Sequence, residues 1–221
     1  MTFSNEDLKR AVVERHSVRV YKEQEIEAAK IEELKQLIDE CNKEGNLHLQ
    51  FVEHAGNTLK KLFNKASGLG TAPSLIACIG PDDDTLDERI GYYGQKIVLY
   101  AQLMGLNTCW VGTFNKKEND DLVGDGEKYP ISIAIGYGET NGHTRKSKTR
   151  EDVIEGKGEK PDWFYAGVDA ALLAPTAINQ QKFKISLDGD KVTITDKGGI
   201  LSKVDLGIVK YNFEVGSGRT L

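Results

Sequence analysis

Cysteine is scarce in this chain, and long apolar runs are missing. The three cysteines, Cys41, Cys78 and Cys109, are an odd number and lie far apart. Such a set forms neither a zinc pattern nor a disulfide framework, so a reducing, cytoplasmic setting is expected. No stretch approaches the roughly 20 apolar residues a membrane-spanning helix needs. The N-terminal MTFSNEDLKR is polar and charged, unlike a secretory leader. Positive charge is not in excess either: 29 Lys and Arg against 34 Asp and Glu leave a net charge of −5. That argues against a broad nucleic-acid surface, which works by neutralising phosphates. No Walker-type loop occurs, and no Gly-x-Gly-x-x-Gly follows an expected strand. A Rossmann unit holding FAD is therefore not expected. His48 and His54 share a strand face, but no carboxylate or cysteine completes a metal set.

What is present is an ordinary globular composition. The 221 residues are 39% hydrophobic and 29% charged, enough for one large domain or two small ones. The most informative segment is Arg15-His16-Ser17-Val18-Arg19-Val20-Tyr21. In an extended chain Arg15, Ser17, Arg19 and Tyr21 share one side, and His16, Val18 and Val20 the other. Two guanidiniums with a hydroxyl between them suit a phosphate and a polar ring edge, because arginine offers a planar, permanently charged fork of donors.

The hydrophobic pattern divides the chain. Ser4 reads as an N-cap with Asp7 three residues on, opening a short helix before the arginines. A second helix carries Ile31, Leu34, Leu37, Ile38 and Cys41 and stops near Gly45. Strands are expected over 47–52, 74–80, 107–111 and 131–136, with a helix over 58–65. The longest helix should run from Asp84 to Met104, apolar nearly all round and so buried. Residues 139–162 are polar, Gly-rich and almost without apolar anchors, which reads as a linker or a functional arm. Structure resumes with a helix from Trp163, a hairpin around Asp188-Gly189, and a final helix bearing Val204, Ile208, Tyr211 and Val215. The expected division is thus 1–138, a connecting arm 139–162, and a C-terminal part 163–221. The two larger parts share a weak likeness, Ala-Pro leading to a strand and then a helix, which suggests a degenerate internal repeat.

Three further pieces carry polar chemistry. Ala174-Pro175-Thr176-Ala177-Ile178-Asn179-Gln180-Gln181 offers hydroxyl and amide groups after a helix stop. Alone it reads as a polar loop between helix and strand. Gly105 to Phe114 is a strand ending in glycine, where backbone N–H groups can approach a flat ligand, or simply a core strand and turn. Arg145-Lys146-Ser147-Lys148 could close over a phosphate or be a solvated charge run.

Taken together these pieces resemble the nitroreductase family of FMN-binding flavoproteins. The likeness rests on Arg15-x-Ser17-x-Arg19, on Ala174-Pro175-Thr176-Ala177-x-Asn179-x-Gln181, and on Gly105-Leu106-x-x-Cys109-Trp110-x-Gly112. Gly136-Tyr137 and the basic pair Arg145-Lys146 complete it. The resemblance implies an α+β fold with a mixed, mostly antiparallel sheet flanked by helices. It implies that Arg15, His16 and Ser17 hold the FMN phosphate and ribityl chain, and that Arg19 meets the pyrimidine edge. Backbone around Val111 and Gly112 would face the reactive edge of the ring. Pro175, Thr176, Ala177 and Asn179 would pack on the ring and hydrogen-bond it, with Arg145 a further phosphate ligand. No side chain is expected to act as a catalytic acid or base.

The order departs from the family. The Ala-Pro element usually comes early and reaches the flavin from the second subunit of a dimer. Here it lies about 130 residues later, so the C-terminal part is expected to act as a built-in partner subunit with one FMN per chain. A pseudo-dimeric monomer is favoured, with a homodimer as the alternative. The implied activity passes hydride from NAD(P)H through the flavin to a nitroaromatic, quinone or similar small-molecule acceptor. The rival reading is a flavin-binding or flavin-sensing protein without turnover.

Overall fold

The computed structural model describes residues 3–55, 58–59 and 71–221. Helix α1 (Asn5–Glu14) begins as its sequence dictates: Asp7 N–H donates to Ser4 Oγ at 3.1 Å, and Ser4 N–H returns a bond to Asp7 Oδ2 at 3.1 Å. Helix α2 (Ala28–Gly45) ends on Asn46 in the left-handed conformation, φ 47°. The strand expected from residue 47 is shorter than its alternation suggests, with β1 spanning Gln50–Val52. Leu47 and Leu49 are buried, but they bond to Asn42 of α2 rather than to a strand: Leu49 N–H donates to Asn42 Oδ1 at 2.7 Å. The helix expected over 58–65 falls, apart from Thr58 and Leu59, outside the described residues.

Strands β2 (Ser74–Pro81), β3 (Asn107–Val111) and β4 (Glu127–Gly136) join β1 in an antiparallel sheet of order β1-β2-β4-β3. Period-two alternation splits its side chains between two apolar clusters. Ile76 and Cys78 of β2, with Ile131, Ile133 and Ile135 of β4, face the helices. Leu75, Ala77 and Ile79, with Ala134 and Cys109, pack on the other face with Val18 and Tyr21. Such double-sided burial explains why β2 reads as a continuous apolar run.

The 139–162 segment is more ordered than its composition suggests. Within it lie a one-turn helix α4 (Arg150–Val153) and β5 (Ile154–Glu155). Strand β5 adds in parallel to β6 (Phe183–Asp188), which pairs with β7 (Lys191–Asp196) as the Asp-Gly turn requires. The strand orders of the first and last parts differ, so topology adds no support for a duplication.

Three helices bind the parts together: α3 (Leu86–Leu103), α5 (Asp162–Leu172) and α6 (Ser202–Ser217). Helices α3 and α6 cross backbone to backbone. A Cβ on Gly91 would lie 2.0 Å from the Val204 carbonyl oxygen, and one on Gly207 would lie 2.0 Å from the Glu88 carbonyl oxygen. On its other side α6 meets α5, where Gly167 leaves room for the Phe213 ring. A buried polar chain fixes the rotation of these helices: Gln95 Nε2 donates to Asn212 Oδ1 at 2.9 Å, and Asn212 Nδ2 donates to the Ala170 carbonyl at 3.0 Å.

Gly207→Ala places a methyl where backbone already sits, so the helices must separate. We expect a loss of roughly 1–3 kcal/mol in unfolding free energy, the usual cost of overpacking. A urea midpoint equal to that of the parent chain would contradict so close a crossing.

Candidate functional site

The arginine segment leaves α1 at its C-cap, Arg15, whose N–H donates to the Ala11 carbonyl at 2.9 Å. It then lies across the end of the sheet through two isolated bridges, Ser17 beside Thr108 and Tyr21 beside Gly138. Strict alternation therefore fails. Val18 and Tyr21, three residues apart, are both buried, and the Tyr21 hydroxyl donates back to the Val18 carbonyl at 2.8 Å. Tyr21 does not share the arginines' side; it belongs to the core behind the sheet.

Arg15, His16, Ser17 and Arg19 line a cavity of about 590 Å³. Two other stretches complete it. Residues His143, Thr144 and Arg145 come from the polar arm, and Leu173, Thr176, Ile178 and Asn179 come from the turn after α5. Segments more than 120 residues apart thus meet at one place within one chain. Val13 of α1 completes the rim. Val111, Gly112, Pro175 and Ala177 are not part of this lining. Gly112 instead leaves room for Leu201, whose Cδ1 lies 2.8 Å from where a Cβ would be. Phe114 is buried and packs on Tyr129, with ring centroids 4.5 Å apart.

Charge in the cavity is one-sided. Arg15 is 5% exposed, and its Nε is buried with no hydrogen-bond partner. Burial first, and the charge of Arg145 second, push the Arg15 guanidinium down to about 10, still protonated at neutral pH. Burial also lowers Arg145. Among the described residues no carboxylate pairs with Arg15, Arg19 or Arg145. Uncompensated buried cations are costly unless an anion joins them. Two guanidiniums, a serine hydroxyl and the His16 ring form a set that suits an oxyanion such as phosphate. His16 Nδ1 lies 2.9 Å from the Glu14 carbonyl, a contact that puts a proton on that nitrogen.

The arm is fastened to the turn. Arg145 Nη2 donates to the Leu173 carbonyl at 2.9 Å and to the Ala174 carbonyl, covering the C-terminal end of α5. Gln181 is buried; its side chain accepts from Lys148 N–H at 2.9 Å and donates to the Leu172 carbonyl at 2.8 Å. Asn179 Nδ2 donates to the Lys146 carbonyl at 2.8 Å. Between these anchors Ile178 stands 84% exposed at φ 47°, a left-handed conformation that strains a β-branched residue. Sequence reasoning missed Val13, His143, Thr144 and Leu173, and also Asp205, which holds the turn from α6. A signal existed for Asp205: it sits between Val204 and Leu206, both buried, near the start of the helix.

Comparison with known proteins agrees with this architecture. A family model described as "Putative TM nitroreductase" matches residues 7–217. No curated protein matches the chain. Among solved structures, one described as a putative nitroreductase from Thermotoga maritima is 23% identical at TM-score 0.65, over 98% of this chain and 86% of that one. A nitroreductase family protein from Streptococcus pneumoniae is 12% identical at TM-score 0.52, over 67% of this chain and 98% of its own. A variant of an FMN and NADPH-dependent nitroreductase from Sphigopyxis sp. strain HMH is 14% identical at TM-score 0.56, over 71% and 100%. These likenesses carry the fold. The family match runs through both ends of the chain that wall the cavity, and the chain belongs to this nitroreductase family.

Proposed function

We propose that the chain is an FMN-dependent oxidoreductase that uses NAD(P)H to reduce a nitroaromatic, a quinone or a similar small molecule. One observation carries the cofactor assignment: Arg15, Arg19 and Arg145 surround a single cavity without a carboxylate, and Arg15 Nε is buried and unpartnered. That donor set fits a phosphate tail beside a polar heterocycle. The similar solved structure described as FMN and NADPH-dependent supports the same reading. Bound there, the flavin supplies hydride acceptance and return, so one pocket can serve the nicotinamide donor and the acceptor in turn.

The chain's own residues bind and orient. Arg15, His16 and Ser17 would hold the phosphate and the ribityl chain, with Arg145 behind them. Arg19 would offer a fixed positive charge to the pyrimidine edge, where negative charge grows on reduction. Thr176 and Asn179 would bring a hydroxyl and an amide from the C-terminal part. In this reading that part does within one chain what a partner subunit does in ordinary dimers, and each chain holds one FMN. The apolar rim of Val13, Leu173 and Ile178 would exclude water from one side of the ring.

Freshly purified protein is expected to show flavin absorption bands, and acid release should yield FMN rather than FAD. Titration should saturate at one FMN per chain; two per chain would refute the single composite site. Arg15→Ala, removing a buried charge-assisted contact, is expected to weaken FMN binding by about 2 kcal/mol or more. Arg19→Ala should weaken FMN retention or lower the flavin potential; unchanged occupancy and potential would remove its assigned role. Steady-state NAD(P)H oxidation with menadione separates turnover from mere flavin binding: a binding or sensing protein would show none.

A further inference from the structure

The turn that walls the cavity is held from behind by one acid. Asp205, in the first turn of α6, is only 8% exposed. Its Oδ1 accepts from Ala177 N–H at 2.9 Å, and its Oδ2 accepts from Gln180 Nε2 at 2.8 Å. These two anchor points bracket Ile178 and Asn179, whose φ values of 47° and 57° put both in the left-handed region. A strained turn of this kind persists only where its surroundings hold it.

No cation offsets the acid among the described residues. Charged groups on the neighbouring elements include Glu88 of α3, Asp196 of β7, and Lys203 and Lys210 of α6. They pair among themselves, Lys203 with Asp196 at 2.9 Å and Lys210 with Glu88 at 2.5 Å. On the cavity side, Lys148 Nζ donates to the Gln181 carbonyl, and Arg145 donates to the Leu173 and Ala174 carbonyls. Asp205 is therefore dedicated to the turn.

We propose that Asp205 is the positioning residue of the cavity wall: it fastens Ala177 and Gln180, so holds Thr176 and Asn179 in place, and its ionisation loosens that hold. The proposal rests on the FMN reading given above. Its physical basis is the conflict between two N–H donors, which favour the carboxylate, and burial without a cation, which opposes it. Burial wins, pushing the carboxyl up to about 6 from its ordinary 3.8. The fastened turn thus keeps its proton better than a loosened, solvated one. Low pH favours fastening, and that preference is lost as pH rises from 3.8 through about 6. The phosphate of FMN gains charge near pH 6 and acts in the opposite sense, so only a comparison of variants isolates Asp205.

The test titrates FMN into the flavin-free full chain, followed by flavin fluorescence, from about pH 5 to about pH 8. Asp205→Ala is expected to bind FMN roughly three- to tenfold more weakly at about pH 5, where the hold is strongest, the worth of one lost buried hydrogen bond or two. Asp205→Asn keeps the shape and one acceptor oxygen without the charge and should recover part of that loss. The ratio of parent to Asp205→Asn Kd should rise between about pH 5 and about pH 6.5 and then level off. Equal binding by Asp205→Ala and parent, or parallel pH curves for parent and Asp205→Asn, would overturn the proposal. A purely structural acid would shift melting temperatures while leaving affinity and the pH ratio unmoved, and that result also overturns it. If Asp205→Ala does not fold, Gln180→Ala removes one anchor, and a several-fold weaker Kd is expected; unchanged affinity would refute the latch. A parent chain that binds no FMN at any pH overturns the cofactor reading itself, whatever the variants do.

Discussion

The contact on which the molecule depends is the crossing of α3 and α6 at Gly91 and Gly207. Two helices from distant parts of the chain approach until backbone meets backbone, which only glycine permits on both sides. Everything downstream inherits its position from that crossing. Lys210 reaches Glu88, the Tyr92 hydroxyl donates to Glu214 at 2.5 Å, and Leu201 reaches over Gly112 at the end of β3. Asp205, two residues before Gly207, is thereby aimed at the turn that closes the cavity. Apolar burial supplies most of the attraction between these helices but does not set their register. The Gln95–Asn212–Ala170 chain does, because a slipped register would leave buried amides unpaired.

The cavity spends stability that the core supplies. Arg15 is buried without an anion, Arg145 stands near enough to disfavour its charge, and Ile178 is held in a strained, exposed conformation. None of these helps the chain fold. Each makes sense as preorganisation for a ligand that brings negative charge and a flat face. Gln181 shows how the surroundings compensate: one buried amide ties the arm at Lys148 to the end of α5 at Leu172. Arg145 and Ser147 of the polar arm bond to carbonyls at the end of α5 that would otherwise lack partners, while Val153 joins the core.

Much of this was legible from residues alone, and for local reasons. The Ser4–Asp7 cap, the Asp188-Gly189 hairpin and the strand expected over 74–80 follow from short-range rules. So did the pairing of the arginine segment with the Thr176–Asn179 turn, though through resemblance rather than periodicity. What sequence could not give were facts set by tertiary contact. Tyr21 left its expected side because the chain touches the sheet at two bridges rather than along a strand. Leu47 and Leu49 alternate like a strand yet bond to Asn42. Residues 139–149 look unanchored because their partners, the Leu173 carbonyl and the Asn179 side chain among them, lie far away in sequence, which no local pattern encodes.

Chain order adds a last constraint. The wall that carries Thr176 and Asn179 is tethered to the arginine segment by the same polypeptide. A wall supplied in this way closes the cavity at a cost set by loop entropy, which grows only slowly with length. A wall supplied by another molecule closes it at a cost set by concentration. The tether also makes the close α3–α6 crossing, from Gly91 to Gly207, part of what sets the two walls against each other. Much of the packing precision gathers around α6: its own Gly207, Gly91 of α3, Gly167 of α5, and a buried amide chain. This helix packs on α3 and α5 and also holds the cavity turn through Asp205, and a shift of either contact moves the walls of the cavity apart.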